Sequence, residues 1–242
     1  MTNNDARSKI IFALDVSGMA EVERWADLLA TRVGMFKIGK QLYTACGPEA
    51  VHAILKRGGE VFLDLKYHDI PNTVAMATLE ASRLGVQLVN LHASGGHEMM
   101  STTMETLKKE YGKSRKTKVL AVTVLTSSTT ETLREIGIDL SVEDLVVRLA
   151  KLAQKAGVDG VVASPREVTL IRKACGDDFL IVTPGVRPVF AAVDDQKRVM
   201  TPGDAVAAGA DYLVIGRPIS AASDPESAVE LIVEDMLHNT SA

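Results

Sequence analysis

The strongest constraint on this chain is a repeat of pattern rather than of residues. Eight short apolar stretches recur along it, each followed by a segment with helical spacing. They run Ile10 to Leu14, Val33 to Ile38, Glu60 to Lys66, Val86 to Leu91, Lys118 to Leu125, Val158 to Ala163, Phe179 to Thr183 and Tyr212 to Ile215. Strands this continuously apolar are covered on both faces, which is the condition of a parallel sheet packed under helices. Eight strand–helix units in 242 residues predict a single (β/α)8 TIM barrel domain spanning residues 1–242. The rival is a doubly wound open sheet. Its dinucleotide-binding version needs a glycine fingerprint after a strand, and Asp15-Val16-Ser17-Gly18 does not supply one.

The helical segments carry readable start and stop signals. Val22, Trp25, Leu28 and Leu29 give helical spacing to 20–31, and Pro48 opens a helix to about Arg57. Pro71 is expected to stop or redirect the chain, with a helix from Asn72 or Thr73 to Leu84 and Gly85 as its stop. Ser141 is placed to cap a helix from Val142 to Lys155. Residues 1–8 are polar and read as a flexible tail. With 46% hydrophobic and 24% charged residues the composition is that of an ordinary globular protein. Lys and Arg number 27 against 31 Asp and Glu, a net charge of −4, so nothing points to a nucleic-acid polymer as partner. The dense basic run Lys113, Arg115, Lys116, Lys118 reads as a solvated loop before a strand. Cys46 and Cys175 lie far apart with no CxxC, implying a reducing compartment. No signal peptide and no membrane-length apolar run is evident, so a cytoplasmic location without membrane attachment is expected.

Chemistry concentrates in Glu60 to Thr73, EVFLDLKYHDIPNT. Asp64 and Lys66 interrupt an apolar strand, and their spacing of two predicts that they share one face. Asp69 follows just past the strand end. A charged pair in such a setting is costly unless compensated. A structural ion pair is the plainer alternative. In a barrel, however, these residues fall at the C-terminal rim where active sites form, and so do Asp15, Lys37, His92, Thr126, Arg187 and Arg217. The loops after the seventh and eighth strands offer a phosphate grip through Gly216, Arg217 and Arg187. Their plainer readings are a turn residue and surface charges. His92 divides evenly between substrate contact and a hydrogen-bonded loop histidine. Asp15, Asp64 and Asp69 are conceivable Mg²⁺ ligands, but Lys37 and Lys66 already offer them compensation, so no metal is assigned.

Together these residues resemble the orotidine 5'-phosphate decarboxylase family in its bacterial form, over essentially the whole barrel. Asp64-Leu65-Lys66-Tyr67-His68-Asp69-Ile70-Pro71-Asn72-Thr73 is similar to the family signature with its D-x-K-x-x-D core. Ala13-Leu14-Asp15, Lys37-Ile38-Gly39-Lys40, Thr123 to Ser127, Thr183-Pro184-Gly185-Val186-Arg187 and Val214 to Pro218 extend the likeness. The resemblance implies conversion of orotidine 5'-monophosphate to UMP and CO2, the last step of de novo pyrimidine nucleotide synthesis, with no cofactor and no metal. It implies Lys66 as proton donor to C6, with Asp64 crowding the substrate carboxylate and, with Lys37, fixing Lys66. Asp15 and Lys37 would contact the ribose, and Thr126 the pyrimidine. Arg187, Gln196, Gly216 and Arg217 would serve the phosphate side, and Pro184 would also contact the substrate. A homodimer with shared sites is implied as well, in which Asp69, Ile70 and Thr73 reach the neighbour, and 188–196 would be a mobile phosphate lid. The alternatives are an Mg²⁺-dependent sugar-phosphate barrel with the same D-x-K-x-x-D core, a Schiff-base aldolase using Lys66, and a nucleotide-binding barrel without catalysis.

Overall fold

A computed structural model of the chain describes residues 1–191 and 200–239. Eight parallel strands close on themselves in sequence order: β1 (Ile10–Ala13), β2 (Met35–Gly39), β3 (Val61–Tyr67), β4 (Leu88–His92), β5 (Lys118–Val122), β6 (Gly160–Val162), β7 (Leu180–Pro184) and β8 (Tyr212–Ile215). β1 pairs in parallel with both β2 and β8, completing the (β/α)8 barrel. All eight expected strands are present, with ends shifted by up to three residues.

The helices are α1 (Asn3–Ser8), α2 (Met19–Leu29), α3 (Lys40–Cys46), α4 (Glu49–Lys56), α5 (Pro71–Arg83), α6 (Gly96–Tyr111), α7 (Thr130–Glu135), α8 (Val142–Lys155), α9 (Val168–Cys175), α10 (Pro202–Ala207), α11 (Arg217–Ser220) and α12 (Pro225–Asn239). Their ends follow local chemistry. Ser141 accepts from the Asp144 amide at 3.1 Å and caps α8. Gly85, just past α5, takes φ 86°, a conformation other residues rarely adopt. Pro71 does not stop the chain but starts α5, where a missing N–H costs nothing because the first helical donors have no partner anyway.

Two cores follow from strand alternation. Outward-facing residues such as Phe12, Phe36, Leu63 and Leu91 pack under the helices. Inward-facing Ile11, Met35, Phe62, Leu88, Leu120, Val122, Val162, Val182 and Val214 fill the barrel. One inward position further along three adjacent strands, the residues change character: Met35 gives way to Lys37, Phe62 to Asp64 and Leu88 to Asn90. The apolar plug therefore forms a dry floor under a polar layer at the C-terminal rim.

Two expectations are corrected. Residues 1–8 are not a loose tail: Thr2 and Asp5 form a reciprocal cap on α1, Ala6 is fully buried and Arg7 reaches Glu230 of α12. The basic run is not simply solvated either. Arg115 makes a two-pronged contact with Asp159 at 2.6 and 2.8 Å, and Asp159 also accepts from the Val119 amide at 2.8 Å. This fork ties the chain before β5 to the chain before β6, at the end of the barrel opposite the rim. Asp159→Ala leaves a half-buried guanidinium with no carboxylate, keeping only its bond to the Thr117 carbonyl, and takes the acceptor from the Val119 amide. The expected cost is about 3 kcal/mol, measured as a shift in denaturant midpoint at unchanged slope. A loss below about 1 kcal/mol would class the pair with ordinary surface bridges.

Candidate active site

Asp64 lies at the centre of the polar layer, 9% exposed. Its Oδ1 accepts from Lys66 Nζ at 2.5 Å and from Asn90 Nδ2 at 2.6 Å. Its Oδ2 faces Lys37 Nζ at 3.6 Å, and Lys37 Nζ also lies 3.3 Å from Asp15 Oδ1. The result is a row of alternating charges, Lys66–Asp64–Lys37–Asp15, drawn from β3, β2 and the loop after β1. Burial pushes the Asp64 carboxyl up, but the Lys66 and Lys37 ammoniums with the hydrogen bonds from Lys66 and Asn90 outweigh it. The carboxyl is held below its ordinary 3.8 and is ionised at neutral pH.

Lys66 reaches Asp64 by a route that simple alternation does not describe. β3 pairs with β4 at Leu63–Val89 and again at Tyr67–Leu91, with a register shift between them. Three residues of β3 (64–66) thus face one of β4, Asn90. Lys66 takes up the excess with φ 54°, the one positive φ outside glycine among the described residues. Such a backbone costs on the order of 1–3 kcal/mol and persists where the surroundings hold it. The Lys66 amide donates to Asn90 Oδ1 at 2.8 Å.

Beside this row opens a cleft of about 610 Å³, lined among others by Asp15, Lys37, Gly185, Arg187, Phe190, Gly216 and Arg217. Lys37 belongs to both, lining the cleft and touching Asp64. The Gly39 backbone passes close to this junction: a Cβ there would lie 3.0 Å from Lys37 Nζ. Pro184 ends β7 just before the cleft, and Thr126 is exposed on the loop after β5 without lining it. Gln196, with most of the stretch expected as a lid, lies outside the described residues.

Asp69, Ile70 and Thr73 are not drawn into this set. All three are exposed, Ile70 at 67%, and Asp69 Oδ1 accepts from the Ile70 amide at 2.7 Å. Among the described residues no ion pair links Asp69 to Lys66. His92 ends β4 with its ring 5.4 Å from that of His68. Burial, then the charges of His68, Lys40 and Lys66, press its pKa below the ordinary 6.5, while Asp64 pulls it up. Asn90 is the residue that sequence reading missed. A neutral amide in a strand carries no motif, and only the pairing of β3 with β4 brings it to Asp64.

A closed barrel with a buried, lysine-flanked carboxylate at its C-terminal rim and a cleft carrying two arginines defines an enzyme acting on a small anionic substrate. Residues 8–232 match the model of the "Orotidine 5'-phosphate decarboxylase / HUMPS family", and the chain belongs to that family. The orotidine 5'-phosphate decarboxylase of Geotalea daltonii is 68% identical over 98% of this chain and 99% of its own length. That of Geobacter sulfurreducens is also 68% identical, over the same shares. A crystal structure of orotidine 5'-phosphate decarboxylase from Lactobacillus acidophilus superposes with a TM-score of 0.83 at 36% identity, covering 94% of this chain and 98% of that one.

The charges around His92 make a direct test of the site's electrostatics. In wild type, His92 should titrate below 6.5 by NMR. Asp64→Asn removes the one charge raising it, so its midpoint should fall further. A rise would contradict the geometry described.

Proposed function

We propose that this enzyme decarboxylates orotidine 5'-monophosphate to UMP and CO2, the closing step of pyrimidine nucleotide synthesis. The observation that carries the reading is the row Lys66–Asp64–Lys37–Asp15 opening at Lys37 onto the cleft with Arg187 and Arg217. The cleft suits the phosphate: Arg187 and Arg217 supply fork-shaped cationic donors, and the turn at Gly216 admits close backbone approach. Asp15 and Lys37 suit the ribose hydroxyls between the phosphate and the base, and Thr126 is assigned to the pyrimidine. Gln196 completes the phosphate-side set inferred from family likeness, and Pro184 is assigned to substrate contact.

At the reacting end, the C6–carboxylate bond breaks and its electron pair stays on C6. The ammonium of Lys66 opposes that charge as it develops and then gives its proton to C6, leaving an amine that solvent reprotonates. Asp64 stands where the departing carboxylate of the substrate would be crowded by like charge. It also fixes Lys66, in concert with Lys37. Phosphate binding at the far end contributes energy to this positioning. The Mg²⁺-dependent sugar-phosphate alternative needs carboxylates free to bind a cation, whereas Asp64 is already compensated from both sides by Lys66 and Lys37.

The functional unit of this proposal is a homodimer with shared sites. Asp69, Ile70 and Thr73 face solvent in the single chain, and Ile70 presents an apolar side chain that is 67% exposed. A two-fold contact on this face would bury Ile70 and deliver Asp69 to the partner's Lys66.

Turnover of orotidine 5'-monophosphate should survive exhaustive treatment with EDTA, measured as loss of substrate absorbance. Activity lost to EDTA and restored by Mg²⁺ alone would favour the sugar-phosphate reading.

The shared site has its own test. Lys66→Ala and Asp69→Ala homodimers should each be nearly inactive. Subunit exchange between them should restore up to about one quarter of wild-type activity per subunit, since half the dimers are mixed and each then has one intact site. No recovery, with exchange proven by differential tags, would return Asp69 to its own chain's site.

A further inference from the structure

We propose that Asn90 is a positioning residue for the decarboxylation: its amide bridges the β3 bulge and aims the Lys66 ammonium by holding both the Lys66 backbone and the Asp64 carboxylate. The proposal rests on the function assigned above and adds to it a residue that touches no substrate. Asn90 is 1% exposed, on the inward face of β4 directly beneath the reacting groups.

The chemistry fixes its orientation. A backbone N–H only donates and an ionised carboxylate only accepts, so Oδ1 must face the Lys66 amide and Nδ2 must face Asp64. The bonds close a ring: the Lys66 backbone to Asn90, Asn90 to Asp64, and Asp64 to the Lys66 ammonium. A lysine side chain has several free rotors, so a charge at its tip is ordinarily diffuse. Here the residue is tied at both ends, its amide to Asn90 and its ammonium to Asp64, and the side chain of Asn90 accepts the amide at the position of positive φ. The task demands an acceptor and a donor on one short planar group. Leucine has neither, aspartate loses the donor when ionised, and glutamine is one methylene too long for the gap.

Asn90→Ala should lower kcat on the order of 100-fold, the scale of a misplaced reacting group. UMP affinity should stay within about threefold, because the phosphate and ribose contacts lie elsewhere. Asn90→Asp keeps the volume should the alanine variant fail to fold. It retains the acceptor for Lys66 but can donate to Asp64 only when protonated, in a setting faced by Asp64 and Lys66 of β3, Lys37 of β2 and His92 of β4. Its kcat relative to wild type should therefore rise as pH is lowered, with thermal stability followed in parallel. A crystal structure of either variant should show residue 66 leaving positive φ or its ammonium moving off Asp64. A folded Asn90→Ala with wild-type kcat overturns the proposal, as does equal loss of kcat and UMP affinity, a pH-independent Asn90→Asp ratio, or an unmoved Lys66 in the crystal. If wild type itself does not turn over orotidine 5'-monophosphate, the assigned function fails instead, and the crystal structure alone decides the role of Asn90.

Discussion

The Asp64 carboxylate, buried and ionised, imposes its needs on three neighbouring strands. An unpaired charge at this depth would cost several kcal/mol. It is met by Lys66 from its own strand, Lys37 from β2 and Asn90 from β4. None of the three partners can serve unless its strand holds the register that turns it inward beside Asp64. The apolar floor beneath them, from Ile11 to Val214, matters for the same reason. Low polarity below the layer strengthens each pairing and makes each missing partner expensive. Fold and site thus stabilise one another through a single carboxylate.

The architecture was legible because the barrel writes its period into the chain. Short apolar strands alternating with amphipathic helices leave few other topologies, and the charged residues that break those strands mark the rim. Asp15, Lys37, Asp64 and Lys66 could be gathered on that logic because each ends a strand. Asn90 could not, since its importance arises from opposing a three-residue excess on another strand. The same excess hides the backbone of Lys66: alternation places its side chain beside Asp64 but does not reveal that the chain must turn left-handed to do so.

Other misreadings came from weighing composition above local signals. The first residues look like a tail because they are polar, yet Thr2 and Asp5 stand at capping-box spacing and one alanine, Ala6, suffices to dock the turn. Arg115 sits in a cluster of basic residues that suggests solvent, but its partner Asp159 lies far along the chain. Lys40 to Cys46 form a helix directly after β2, where the pattern before Pro48 is too brief for periodicity to register. In each case a short-range or long-range contact decides what average polarity does not.

The closure of β1 on β8 has a consequence for how the protein comes into being. The cleft takes Asp15 from the start of the chain and Gly216 and Arg217 from near its end. These residues lie almost the whole chain apart, and joining them bears a large loop-closure entropy. A growing polypeptide on the ribosome can pair β1 with β2 early, but it must wait for β8 before the other edge of β1 is covered. Until then it carries an open strand of Ile10, Ile11 and Phe12, an apolar edge exposed to neighbouring chains. Chaperone shielding during translation would therefore matter most for the first strand made, although that strand ends as one of the best buried in the finished molecule.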